Sequence, residues 1–236
     1  MVDFYFLGLL DIEESLVIQE KILELCSQNS LPPTVLFLEH PEVITCGRNS
    51  CEKSVSLLKK QGLRVVQTDR GGELTAHMPG QLIVYPILPM RVMGLSVKKY
   101  VHLMEQVVID LLQTYGINGT RRLSYPGVWS GMQKISSIGI RVKKRVTKHG
   151  LAVNISNNLD LFSQFTPCGI KGCEVSSLEA ITGNTISLGE ISHKFIDHFV
   201  RIFQTNVGEI RACDDWRQIV KSQTKKTNQI RLNGVS

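Results

Sequence analysis

Apolar and polar positions fall into two rhythms along the chain. Short apolar runs closed by turn residues alternate with longer stretches in which apolar residues return every three or four positions. "DFYFLGL", residues 3–9, has the aromatic and branched content of a strand, and "DIEESLVIQEKILELCSQ" then sets Leu16, Ile18, Ile22, Leu23 and Leu25 on one helical stripe. Asp11 is its N-cap. "TVLFLEH", bounded by Pro32, Pro33 and Pro41, reads as a buried strand, and "LRVVQTD" and "QLIVYPIL" read the same way. The clearest helix is "SVKKYVHLMEQVVIDLLQTYG": Val97, Tyr100, Val101, Met104, Val107, Val108, Leu111 and Leu112 share a face, and Gly116 supplies the stop.

Beyond it, "PGVWS", "KISSIGIRV" and "RVTKHGLAVNIS" carry strand patterns, with Arg141, Lys143, Lys144, Arg145 and Lys148 gathered where the last two turn. "SLGEISHKFIDHFVRIFQ" spaces Ile191, Phe195, Phe199 and Phe203 four apart, as core contacts of a helix. Strands and helices intermix without a βαβ period, a repeat or a linker. One mixed α/β (α+β) domain is expected over residues 1–215, followed by a loosely ordered basic tail over 216–236.

The 236 residues are 42% hydrophobic and 20% charged, the balance of an ordinary globular protein. No apolar run approaches the roughly 18–20 residues of a membrane-spanning helix, and the start lacks a basic region and a small-residue cleavage site. Asp3, Asp11, Glu13 and Glu14 argue against a mitochondrial transit peptide. The expected compartment is the cytoplasm, where the six cysteines are free thiols. A net charge of +6 and a pI near 9.0 suit an acidic partner: nucleic acid, an anionic membrane or an acidic protein.

Three stretches are chemically unusual. In "TDRGGELTAHMPGQLIVYP" Gly71 and Gly72 allow backbone N–H groups to approach a ligand closely, Arg70 and His77 bracket the turn, and Pro79-Gly80 reverses the chain. A two-turn loop with incidental polar residues is the plainer alternative, but polar residues in a long glycine-rich loop commonly mark a ligand site; the stretch is neither a Walker A loop nor a dinucleotide fingerprint. In "YPGVWSGMQKISSIGIRV" Lys134 opens an apolar run, where it either snorkels to water or sets its ammonium beside an anion. In "FTPCGIKGCEVSSLEA" Cys168 sits between Pro167 and Gly169, and on the residues alone it is equally a nucleophile or a buried thiol. The spacings Cys46-x4-Cys51 and Cys168-x4-Cys173 lack the tight knuckle of a zinc site, so no metal is expected. Cys26, Cys46, Cys51 and Cys213 read as small buried hydrophobes.

Taken in order, "HPEVITCGR", "RGGELTAHMPGQ", "GVWSGMQKISSIGIRV", "VTKHGLAVNIS" and "FTPCGIKGCEVSSL" resemble the lipoate-protein ligase B family, the octanoyl-acyl-carrier-protein:protein octanoyltransferases, from about His40 to Leu178. The resemblance implies the single mixed-sheet domain shared with biotin and lipoate protein ligases. It also implies transfer of an octanoyl group from acyl carrier protein to a lysine of a lipoyl domain. In that family the Cys of the PCG block accepts the acyl group and the Lys of the K-I-x-x-I-G block lowers its pKa, which are Cys168 and Lys134 here. The acyl-binding segments fall on Arg70, Gly71, Gly72, Glu73, Leu74, Thr75, Ala76 and His77, on Ser137, Ile138 and Gly139, and on Gly150, Leu151 and Ala152. Ala76 stands where an aromatic is common, Ser137 where Ala is, and Cys46 replaces a usual apolar residue.

The resemblance further implies that no cofactor is needed, neither ATP nor metal, because the thioester is already activated. The implied partners are octanoyl-acyl carrier protein, the lipoyl domains of 2-oxoacid dehydrogenase complexes and the glycine cleavage H protein. Neither nucleic acid nor a membrane is expected, since a nucleic-acid module fits the pI but not the glycine-rich ligand loops. The basic run Arg141, Lys143, Lys144, Arg145 and Lys148 is either a steering patch for an acidic carrier or a solvated hairpin tip. The competing activities are an ATP-dependent lipoate or biotin ligase on the same fold, and a cysteine thioesterase that passes its acyl group to water.

Overall fold

The computed structural model describes residues 1–165, 173–213, 216, 217 and 219. The chain begins with β1 (Val2–Leu9) and turns at Asp11, whose carboxylate accepts from the Glu13 amide at 3.0 Å and starts α1 (Ile12–Ser27). Then come β2 (Thr34–Glu39), β3 (Val43–Cys46), α2 (Glu52–Lys60), β4 (Val65–Gln67), β5 (Leu74–His77) and β6 (Gln81–Ile87). Helix α3 (Val97–Gln113) is capped by Ser96 and leads to β7 (Thr120–Arg122), β8 (Tyr125–Ser130), β9 (Gln133–Lys143) and β10 (Val146–Asn154). A 3-10 turn (Asp160–Gln164), β11 (Glu174–Val175), α4 (Leu178–Thr182), α5 (Leu188–Ile202) and β12 (Val207–Ala212) complete it.

Among the described residues two sheets form. The larger runs β12-β1-β2-β6-β10-β9-β8-β7, with β11 added in parallel along β9; the smaller runs β4-β3-β5. The pleat decides which side chains meet which helix. Phe4, Val35, Phe37, Val84, Leu151 and Val153 face α3 and α5, where Phe4 meets Phe199 edge-on at 5.8 Å and Phe37 meets Phe195 at 5.7 Å. Tyr5, Leu36, Leu38, Ile83, Tyr85 and Ala152 face the opposite way, against Ile18, Ile22, Leu23 and Cys26 of α1. Helices on both faces are why β2 and β6 read as nearly continuous apolar runs. Trp216 and Ile219 pack onto the α1 side of this core.

The small sheet has its own cluster of Ile44, Cys46, Leu58, Leu74, Ala76, Met78 and Phe162. Its edge strand β4 corrects an expectation: Val65 and Val66 are only half-buried and Gln67 is exposed, because one flank of β4 has no neighbouring strand among the described residues. The tail beyond residue 219 lies outside the described residues, as do 166–172 with Cys168.

Candidate active site

Where the two sheets meet, β9 and β10, the first turns of α3 and the loop from Thr68 to Glu73 enclose a cavity of about 500 Å³. The loop is stitched down by backbone bonds: Gly71 N donates to Ile140 O at 2.9 Å, and Gly72 O accepts from Asn49 N at 3.1 Å. Gly139 allows this approach, since a Cβ there would lie 2.8 Å from Gly71 O. Gly72 makes the turn itself at φ +85°. Arg70, Gly71, Gly72, Glu73, Leu74, Thr75 and His77 border the cavity, as do Ser137, Ile138 and Gly139 of β9 and Gly150, Leu151 and Ala152 of β10. Ala76 does not: it lies opposite Ile44, fully buried in the small core.

Lys134 lies on β9 at the cavity wall and is 3% exposed. Its ammonium stands 5.2 Å from the centre of the buried Trp129 ring. A Cβ on residue 127 would meet its Cε at 2.9 Å, so Gly127 leaves room for the lysine stem. Burying a cation is costly unless partners stabilise it, so this placement answers the open choice made on sequence: Lys134 does not snorkel out. Immediately beside it β11 joins the sheet, with Val175 opposite Lys134 and Ser176 N donating to Lys134 O at 3.0 Å.

The opposite wall is polar and tightly paired. Arg70 donates to Thr45 O at 2.7 Å, to Thr45 Oγ1 at 2.9 Å and to Gly71 O at 3.0 Å, clamping the glycine loop to β3. His77 Nδ1 meets Gln81 Oε1 at 2.9 Å, Gln81 Nε2 donates to Asn154 Oδ1 at 2.8 Å, and Asn154 Nδ2 donates to Ser176 O at 3.0 Å. A buried relay therefore runs from the cavity wall to the segment beside Lys134. His40 bonds Tyr85 Oη at 2.9 Å and packs edge-on against His77. Desolvation holds His77 down to about 3 and His40 to about 4, so both are neutral at pH 7.

His149 was missed on sequence, although it stands in a strand pattern that was recognised. It borders the cavity at φ +57°, outside ordinary strand geometry, and its Nε2 meets Asp69 Oδ1 at 2.6 Å. Burial pulls His149 to about 4 against the raising effect of Asp69. Neither the kink nor the Asp69 partner, 80 residues away, leaves a local signal. Thr45, Arg48, Asn49, Val97 and Tyr125 also border the cavity through non-local packing.

The basic hairpin is exposed at its tip, but its lysines are ion-paired. Lys143 pairs with Glu20 and Lys144 with Glu24 of α1, while Lys148 is buried between Glu20 and Asp69 at 3.2 Å from each. The cysteines also divide: Cys26 and Cys46 are buried as expected, Cys213 is half-buried, and Cys51 is exposed because it caps α2 from outside. Among the described residues no three His, Cys, Asp or Glu side chains gather as a metal site, and no helix is long and apolar enough to cross a membrane.

The lipoyl protein ligase A/B catalytic domain family matches residues 11–200. An octanoyltransferase of Caldicellulosiruptor bescii is 41% identical over 208 residues, spanning 86% of this chain and 91% of its own length. One of Syntrophobacter fumaroxidans is 41% identical over 202 residues, spanning 84% and 89%. In fold, the chain is similar to P. falciparum LipL1 in complex with lipoate, at TM-score 0.72 and 16% identity over 94% of this chain and 68% of that one. It is also similar to a lipoate-protein ligase A bound with ATP, at TM-score 0.69 and 15% identity over 96% and 94%.

Proposed function

This chain belongs to the lipoyl protein ligase A/B catalytic domain family, and from that premise we propose that it is an octanoyltransferase, an acyltransferase of protein lipoylation that works through an acyl-enzyme on Cys168. The observation that carries this reading is the buried Lys134 at the wall of a mostly apolar cavity, with β11 returning the chain to the sheet opposite it only a few residues after Cys168. A saturated eight-carbon acyl chain needs an apolar, enclosed space, which Leu74, Ile138, Ile140, Leu151 and Val101 supply. A cysteine thiol needs a cation to be thiolate at neutral pH, and Lys134 is the cation.

The Cys168 thiolate attacks the carbonyl of an octanoyl thioester, presented on the phosphopantetheine arm of acyl carrier protein. The new C–S bond forms as the oxygen takes the charge, and collapse expels the arm's thiolate, which takes up a proton. The neutral amine of a lipoyl-domain lysine then attacks the enzyme thioester, loses a proton to the Lys134 amine left neutral by the first half-reaction, and expels Cys168 as thiolate, leaving the octanoyl amide. Lys134 holds the sulfur anionic at both ends of the cycle and hands its proton to the departing arm thiolate. Loop amides about Gly71 and Gly72 are the candidate oxyanion donors. Acceptors are the lipoyl domains of 2-oxoacid dehydrogenase complexes and the glycine cleavage H protein, and the reaction belongs in the cytoplasm.

Incubation with octanoyl-acyl carrier protein and a lipoyl domain, without ATP, tests this. The lipoyl domain gains one octanoyl group, at a rate that falls by roughly a thousandfold or more in Cys168→Ser. Transfer that requires free octanoate plus ATP, or release of octanoate to water in place of transfer, contradicts it.

A further inference from the structure

Next to the acyl cavity, and sharing Val97 with it, lies an open groove of about 460 Å³. Met90, Leu95, Ser96 and Val142 line it together with two arginines, Arg91 and Arg145. Both arginines are exposed, neither makes an ion pair among the described residues, and no carboxylate lines the groove. The hairpin lysines differ from them, since Lys143, Lys144 and Lys148 are each matched to an acid, whereas Arg141, like Arg145, makes no ion pair among the described residues.

The backbone holds Arg145 there at a cost. Lys144 and Arg145 form the tip between β9 and β10 at φ +50° and +63°, a two-residue turn that Asn-Gly would make without strain. The turn sends Lys144 to Glu24 of α1. Arg145 O accepts from Met90 N at 2.9 Å, and Pro89 bridges Val146, so the tip is fastened to the segment that carries Arg91. Two guanidinium groups on one groove repel unless an anion lies between them.

Resting on the acyl-transfer reading, we propose that this groove takes the phosphate of the donor's phosphopantetheine arm, with Arg91 and Arg145 as its ligands. A phosphopantetheine thioester is acyl at one end and anionic at the other. Val97 lines both the cavity and the groove, so the two are adjacent, as the two ends of one arm require. Guanidinium groups suit this role because their forked donors match phosphate oxygens. Coenzyme A and a carrier protein both present this arm, and the groove reads the chemistry common to them.

The test compares octanoyl-pantetheine, octanoyl-phosphopantetheine, octanoyl-coenzyme A and octanoyl-acyl carrier protein as donors to a lipoyl domain, using the full chain. We expect kcat/KM for the phosphate-bearing donors to exceed that for octanoyl-pantetheine by roughly ten- to hundredfold. The ratio should fall toward unity in Arg91→Ala/Arg145→Ala and be largely restored in Arg91→Lys/Arg145→Lys. Calorimetric binding of phosphopantetheine against pantetheine should show the same loss without any turnover. A wild-type chain indifferent to the phosphate, or a double variant that keeps the preference, overturns the groove assignment while leaving acyl transfer intact. A variant impaired with the carrier protein but not with phosphopantetheine or coenzyme A also overturns it, since the arginines would then read the carrier's surface. Failure of all four donors would instead break the acyl-transfer reading, and this proposal with it.

Discussion

Across β1, β2, β6 and β10 the large sheet is apolar on both faces and covered by helices on both, whereas its seam with the small sheet is held by buried polar groups. At the seam Arg70 clamps Thr45, while His40, Tyr85 and His77 form a contiguous cluster and His149 meets Tyr85 edge-on. Apolar contacts tolerate any pH and set the stability of the scaffold. Buried polar contacts are directional, which suits a cavity wall that must hold its shape, but they hold only in one protonation state.

Acid should separate the two regions most strongly. His40, His77 and His149 are held to about 4, 3 and 4 in the fold, against a usual value of 6.5. Below pH 6.5 the unfolded chain binds protons that the folded chain refuses, so their stabilisation is complete above 6.5 and is lost as pH falls toward 3–4. At pH 5 the loss is about 2 kcal/mol for each histidine, roughly 6 kcal/mol together. Urea unfolding at pH 7.5 and pH 5 measures it, and a His77→Gln variant should have a shallower pH dependence. Phe199→Ala, in the apolar region, should cost about 3–5 kcal/mol at either pH, because it empties the contact between α5 and β1. Arg70→Ala should cost about 2–3 kcal/mol by stranding the Thr45 carbonyl, and should raise KM for the acyl donor more than it lowers kcat. If all three perturbations were equally insensitive to pH, the distinction between scaffold and seam would fail.

The same division explains what the sequence made legible. β2 and β6 were readable because double-sided burial writes an apolar run, and α3 and α5 because Met104 or Phe195 repeats at helical spacing. The glycine loop and Lys134 were readable as oddities: Gly71-Gly72 after a strand pattern, and one lysine in an apolar run. The seam was not, since Asp69 with His149, and Thr45 with Arg70, are joined only by folding. The hairpin cations misled for the same reason. Their partners Glu20 and Glu24 lie about 120 residues upstream on α1, and only the structure separates the matched lysines from Arg141 and Arg145.

The central claim is that Cys168, with Lys134 as its cation, carries the acyl group. Intact-mass spectrometry with peptide mapping, after brief mixing with octanoyl-acyl carrier protein and no acceptor, addresses it directly. One octanoyl group should appear on Cys168, be absent in Cys168→Ala, and form more slowly by roughly a hundredfold or more in Lys134→Ala, with the deficit easing as pH rises toward the free thiol's own range near 8.5. An adduct on Cys173, or acylation at an undiminished rate without Lys134, would contradict the account.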